Sequence, residues 1–111
     1  MAKGTVAIDA VKFLEQRLME KGLGISRMIL FGSQAAGKAT DESDVDVLII
    51  SEDFRGKDIF ERAELTKEAE IMTIRRFLLP LDIITLTPEE FENESSLVAE
   101  YAKNGEVVYG E

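Results

Sequence analysis

Apolar positions fall into two kinds of pattern along this chain, and their alternation sets the order of elements. Between residues 5 and 21, Ala7, Val11, Leu14 and Leu18 recur at helical spacing while Lys12, Glu15, Gln16 and Glu20 lie off that stripe. The pattern predicts an amphipathic helix stopped by Gly22. Gly22-Leu23-Gly24 then turns the chain into Ile25–Phe31, whose Met28-Ile29-Leu30-Phe31 run predicts a strand buried on both faces. Residues 34–43 are small and polar, and Ser33 is suited to cap a short helical turn through Ala35 and Ala36. Val45–Ile50 is a second strand, and Ser51–Lys57, charged and carrying Gly56, reads as an exposed loop.

The longest periodic stretch is Asp58–Leu79. Phe60, Ala63, Ile71, Ile74 and Leu78 keep a helical period and are expected to face the core. Lys67 interrupts that stripe, Arg62, Glu64, Glu68 and Arg75 supply the polar surface, and Pro80 ends the helix. Leu81–Leu86 is a third strand with an acid, Asp82, near its start. Thr87-Pro88-Glu89-Glu90 combines a Thr cap, Pro at the first helical position and a Thr-x-x-Glu box, so a helix begins there. It breaks near Asn93–Ser96, resumes through Val98, Tyr101 and Ala102, and stops at Asn104-Gly105; Glu106–Tyr109 is a short edge strand. The order αβ(α)βαβαβ, without repeat or linker, describes one small α/β (α+β) domain over residues 1–111.

Composition narrows the chemistry. The chain has no cysteine and no histidine, which excludes disulfides, zinc–thiolate sites, thiol nucleophiles and a Ser-His-Asp arrangement. Catalysis must rest on carboxylates, hydroxyls, Lys or Arg, or a metal held by oxygen. The 22 acidic and 13 basic residues leave a charge of −9, which disfavours a nucleic-acid ligand and suits a metal-bound nucleotide or a basic protein partner. No apolar run approaches the length of a membrane span and no signal-peptide core opens the chain, so the expectation is a cytoplasmic protein with no membrane contact.

Three acids then stand out. Asp44 and Asp46, at i and i+2 at the mouth of the second strand, share one face about 6.5–7 Å apart. A crossover through the long helix would make the third strand a neighbour and bring Asp82 beside them. Three such charges about 5 Å apart repel by roughly 3 kcal/mol per pair at an effective dielectric of 20. Mg²⁺ offsets that repulsion, and two ions can activate an attacking oxygen and stabilise a leaving one in phosphoryl or nucleotidyl transfer. Upstream, Gly32-Ser33 closes the first strand, where a missing Cβ, backbone N–H groups and the Ser33 hydroxyl can receive phosphate. Lys38, with Arg75 and Arg76 on the long helix, are candidate cations for a triphosphate.

Gly32-Ser33, ten intervening residues, then Asp44-x-Asp46 leading an apolar strand resembles the DNA polymerase beta-type nucleotidyltransferase superfamily. At 111 residues the chain is most similar to the minimal nucleotidyltransferases, antitoxins paired with HEPN-domain toxins. The resemblance implies a mixed β-sheet with helices packed against it. It implies nucleotide-phosphate contacts at Gly32 and Ser33, metal ligation by Asp44, Asp46 and Asp82, and activation of the acceptor hydroxyl by Asp82. It implies ATP as substrate, Mg²⁺ (two ions, with Mn²⁺ able to substitute), and transfer of AMP to a tyrosine of a HEPN toxin. Where members often read Gly-Ser-x-Ala-Arg-Gly, this chain has Ala36 in place of Arg. Two other readings stay open: an antitoxin that neutralises its toxin by contact alone, and a small-molecule nucleotidyltransferase. Homo- and hetero-oligomers are both compatible with the sequence.

Overall fold

The computed structural model describes residues 3–31, 45–93 and 106–109. Its elements are α1 (Lys3–Glu20), β1 (Ile25–Phe31), β2 (Val45–Ser51), a 3-10 turn (Glu52–Phe54), α2 (Ile59–Phe77), β3 (Leu81–Leu86), α3 (Pro88–Asn93) and β4 (Glu106–Tyr109). The four strands form one mixed sheet in the order β3-β2-β1-β4. β1 is antiparallel to both β2 and β4, while β2 and β3 are parallel and joined by α2, the crossover that the sequence predicts. β4 lies at an edge, as expected. The connection over residues 34–43 with its Ser33 cap, the resumed helix through Ala102 and the Asn104-Gly105 stop lie outside the described residues.

Alternation along the strands divides the interior in two. Val45, Val47 and Ile49 point to one face, where with Met28 and Leu30 they meet the α1 stripe Ala7, Val11, Leu14 and Leu18, all buried. Ile29, Leu48 and Ile50 point to the other face and pack with Ile84, Leu86 and Phe91. β1 is thus buried on both sides, as its continuous apolar run implies.

Two segments depart from expectation. The Ser51–Lys57 stretch is a folded corner rather than an exposed loop: Phe54 is fully buried. Polar groups hold that corner in shape. The Ser51 hydroxyl donates to the Gly24 carbonyl at 2.6 Å and accepts from Asp53 N–H at 3.0 Å, while Asp53 Oδ2 accepts from Gly24 N–H at 2.7 Å. These bonds tie the end of β2 to the start of β1, so the Phe54 ring is carried under α2.

The second departure concerns α2. Its apolar stripe does not face the core: Phe60 is 78% exposed, Ile71 40% and Leu78 82%, and Ala63 is exposed too. The buried face is made of Thr66, Ala69 and Thr73. Small side chains allow α2 to lie close to α1 and the sheet, and each threonine hydroxyl is satisfied by a carbonyl one turn back, Thr66 by Ala63 and Thr73 by Ala69. The helix starts at a complete capping box, Asp58 with Glu61. It ends before Pro80, at Leu78 in the left-handed region (φ 56°, ψ 37°), a conformation that costs a side-chain-bearing residue roughly 1–2 kcal/mol.

The Thr87–Glu90 capping box forms in both directions, Thr87 N–H to Glu90 Oε1 at 2.9 Å and Glu90 N–H to the Thr87 hydroxyl at 3.1 Å. Arg62 of α2 grips the same Glu90 carboxylate through two bonds of 2.8 and 3.0 Å. The Arg62 bonds, then those of Thr87, hold the Glu90 carboxyl below its usual range. A lowered folded pKa means stability that is complete above the unfolded carboxyl value of about 4.3 and lost as pH falls through the folded one. The melting-temperature gap between the wild type and Glu90→Gln is therefore expected to be constant from pH 7 to 5 and to shrink below pH 4, as thermal melts across that range would show.

Candidate active site

The parallel register of β2 and β3 sets Asp46 opposite Asp82. Register partners on neighbouring strands have Cα atoms about 4.8 Å apart and side chains on one face. Asp46 is half-buried and Asp82 exposed, so the pair stands at the rim of the sheet. On its other side Asp46 is paired with Phe31, the last residue of β1 and the one that precedes Gly32. The end of β1 and the starts of β2 and β3 thus form one edge of the sheet. Val45 N–H donates to the Pro80 carbonyl at 2.8 Å, which fixes the start of β2 against the residue that leads β3.

Two of the three predicted carboxylates are therefore brought together by the sheet itself. Asp44, Gly32, Ser33 and Lys38 lie outside the described residues, as does Ala36. Among the described residues no group of three acids is close enough to hold a metal ion. A third acid, Glu70, feels the charge of Asp82. Burial, and then the negative charge of Asp82, push the Glu70 carboxyl of α2 above its ordinary range. Glu70 is absent from the candidates named above, because it takes a place on the helix only once the Thr66–Ala69–Thr73 face is known to point inward. The signal available was that a Glu adjoins those three small residues on the helical wheel.

The donor set fits a hard divalent cation. Carboxylate oxygens on two adjoining strands are donors of the kind that such a cation takes. Arg76, a cation considered for the triphosphate, has its guanidinium over the rings of Phe13 and Phe77, at 5.5 and 5.7 Å. Arg75 is exposed on α2.

A cleft of about 680 Å³ opens at the opposite end of the sheet, lined by Lys21, Asp53, Arg55 and Glu68 among others. Four of its charges pair with each other, Lys21 with Glu68 at 2.8 Å and Arg55 with Glu52 at 2.6 Å. Among the described residues it offers no convergent set of reactive groups, and the Asp46–Asp82 edge is the candidate site.

The profile of nucleotidyltransferase domains matches residues 11–107, which span β1 to β3, the start of β4 and all three acids. The chain belongs to the nucleotidyltransferase domain family. No functionally curated protein matches this nucleotidyltransferase. Solved structures share its fold. A Sulfolobus solfataricus protein described as a candidate nucleotidyltransferase superposes with a TM-score of 0.65 at 19% identity, over 95% of this chain and 81% of that one. A chain of a toxin–antitoxin complex with AMP-PNP gives 0.62 at 17% identity, over 88% and 72%. A chain of a complex between tri-AMPylated Shewanella oneidensis HEPN toxin and MNT antitoxin gives 0.58 at 15%, over 97% and 73%. At these identities the likeness is one of fold, and at that level the similarity to the minimal nucleotidyltransferases is borne out.

Proposed function

We propose that this protein is a metal-dependent nucleotidyltransferase that moves AMP from ATP to a tyrosine hydroxyl of a HEPN-type toxin, and so acts as its antitoxin. The observation that carries the reading is the Asp46–Asp82 register, two carboxylates on adjoining parallel strands, in a chain whose family is defined by nucleotidyl transfer. That chains of toxin–antitoxin complexes share the fold supports the choice of acceptor.

Asp44, Asp46 and Asp82 are the residues that would hold Mg²⁺, and Mg²⁺ when bound supplies charge neutralisation at the triphosphate and activation of the attacking oxygen. The chain's own groups do the rest. Gly32 and Ser33, following directly on Phe31, present backbone N–H groups and a hydroxyl to phosphate oxygens. Asp82, the exposed member of the pair, receives the proton of the incoming hydroxyl as its oxygen bonds to the α-phosphorus. Pyrophosphate leaves, and AMP remains on the acceptor. Ala36 supports a second reading, neutralisation of the toxin by contact alone, since the triphosphate then lacks a frequent arginine.

The two readings part in one experiment. With a HEPN-type toxin as acceptor, label should pass to it from α-³²P-ATP and not from γ-³²P-ATP, and only with Mg²⁺ or Mn²⁺. Neutralisation in cells with no label transfer under either metal would leave contact alone.

A further inference from the structure

The stripe on α2 is largely exposed and has the spacing of a helix-pairing seam. Phe60, Glu64, Lys67, Ile71, Ile74 and Leu78 follow one another at spacings of four and three residues, the alternation of a coiled-coil seam. All but the half-buried Ile74 are exposed, and the 19-residue helix presents the seam over about 28 Å. Leu78 sits in a left-handed conformation that glycine would adopt without strain, yet it directs an apolar side chain to solvent, 82% exposed. Neither the core nor the cap of a monomer gains from that choice.

Charge selects the occupant. From Asp58 to Glu70 the helix and its cap carry five acids, Asp58, Glu61, Glu64, Glu68 and Glu70, against Arg62 and Lys67; from Ile71 to Leu78 they carry only Arg75 and Arg76. A parallel pair would set like charges side by side. An antiparallel pair sets the acidic half of each helix against the basic half of the other. Centred near Ala69, such a pair brings Phe60 of one copy onto Leu78 of the other, Lys67 onto Ile71, and Glu64 beside Ile74 and Arg75. Each contact occurs twice, as a two-fold axis requires. Among the described residues Glu64, Lys67 and Arg75 enter no ion pair within the monomer.

We infer that two copies of this chain associate through an antiparallel α2–α2 contact, with Phe60 and Leu78 as apolar anchors and Glu64–Arg75 as the pair that fixes direction and register. One helix per copy lies at the small end of specific interfaces, and both chains carry a charge of −9, so the dimer is a dynamic one with a dissociation constant in the micromolar range. The inference is independent of the nucleotidyl-transfer reading.

Sedimentation equilibrium of the full chain between about 1 and 300 μM should show a reversible monomer–dimer equilibrium. Phe60→Asp is expected to weaken it at least tenfold, with an unchanged circular-dichroism spectrum because the side chain is exposed. Glu64→Arg and Arg75→Glu should each weaken it, and the double swap should restore it. Leu78→Gly should raise the melting temperature while weakening association. A chain that stays monomeric throughout the range overturns the inference. So does a dimer indifferent to Phe60→Asp, or one that the double swap fails to restore.

Discussion

Asp82→Asn is expected to lower nucleotidyl transfer by about 10²–10⁴-fold, the range that a positioned general base contributes. The substitution keeps shape and removes only the charge and the proton-accepting oxygen. A merely structural role for Asp82 would show as lost stability, and here the opposite is expected. Asp82 is exposed, and its charge is one of the causes that push the Glu70 carboxyl up. Removing it should leave the melting temperature unchanged or raise it. Reduced transfer together with an equal or higher melting temperature is the signature of a carboxylate kept for chemistry at a cost in stability. Label transfer and thermal melts on the same preparations would measure both.

Phe54→Ala is the substitution with the largest expected effect on stability, about 3–5 kcal/mol, against a total of about 5–15 kcal/mol for a domain of this kind. The ring is fully buried among residues of α1, the sheet and Ala69 of α2. Arg62 also lies over it, its guanidinium 5.8 Å from the ring centre, so truncation removes the surface on which the α2–α3 anchor rests. Urea unfolding followed by circular dichroism should place the midpoint well below that of the wild type. A change under 1 kcal/mol would mean that the corner collapses onto the vacancy and that Phe54 is loosely packed.

Phe54 also illustrates what the sequence could and could not convey. The segment Ser51–Lys57 is charged at four of seven positions and holds a glycine, so by composition it is a loop. What makes it a folded corner is the set of bonds among Gly24, Ser51 and Asp53, formed by residues up to 29 positions apart, which no local pattern reveals. Helix α2 misleads for a different reason. Apolar periodicity reports that a helix has an apolar face, and not which neighbour that face meets. Contact with α1 demands small residues, so the inward face is Thr66, Ala69 and Thr73, and the conspicuous stripe points outward.

Elements whose signals are local were fully legible: the α1 stripe, the three longer strands, and the Thr87–Glu90 box, which forms with both of its hydrogen bonds. The Asp46–Asp82 pairing was legible too, since parallel neighbours joined by a helix follow from the order of elements and the acids occupy the same position in each strand. Glu70 was not, because its approach to Asp82 depends on how far α2 is turned about its axis.

Binding of Mn²⁺ and a non-hydrolysable ATP analogue to the purified chain tests the carboxylate edge without needing any acceptor. Electron paramagnetic resonance of free Mn²⁺ should show nucleotide-dependent uptake by the wild type, and an affinity reduced at least 100-fold in Asp46→Asn/Asp82→Asn while the fold stays intact. Equal uptake by wild type and double variant would contradict a metal–nucleotide site at Asp46 and Asp82.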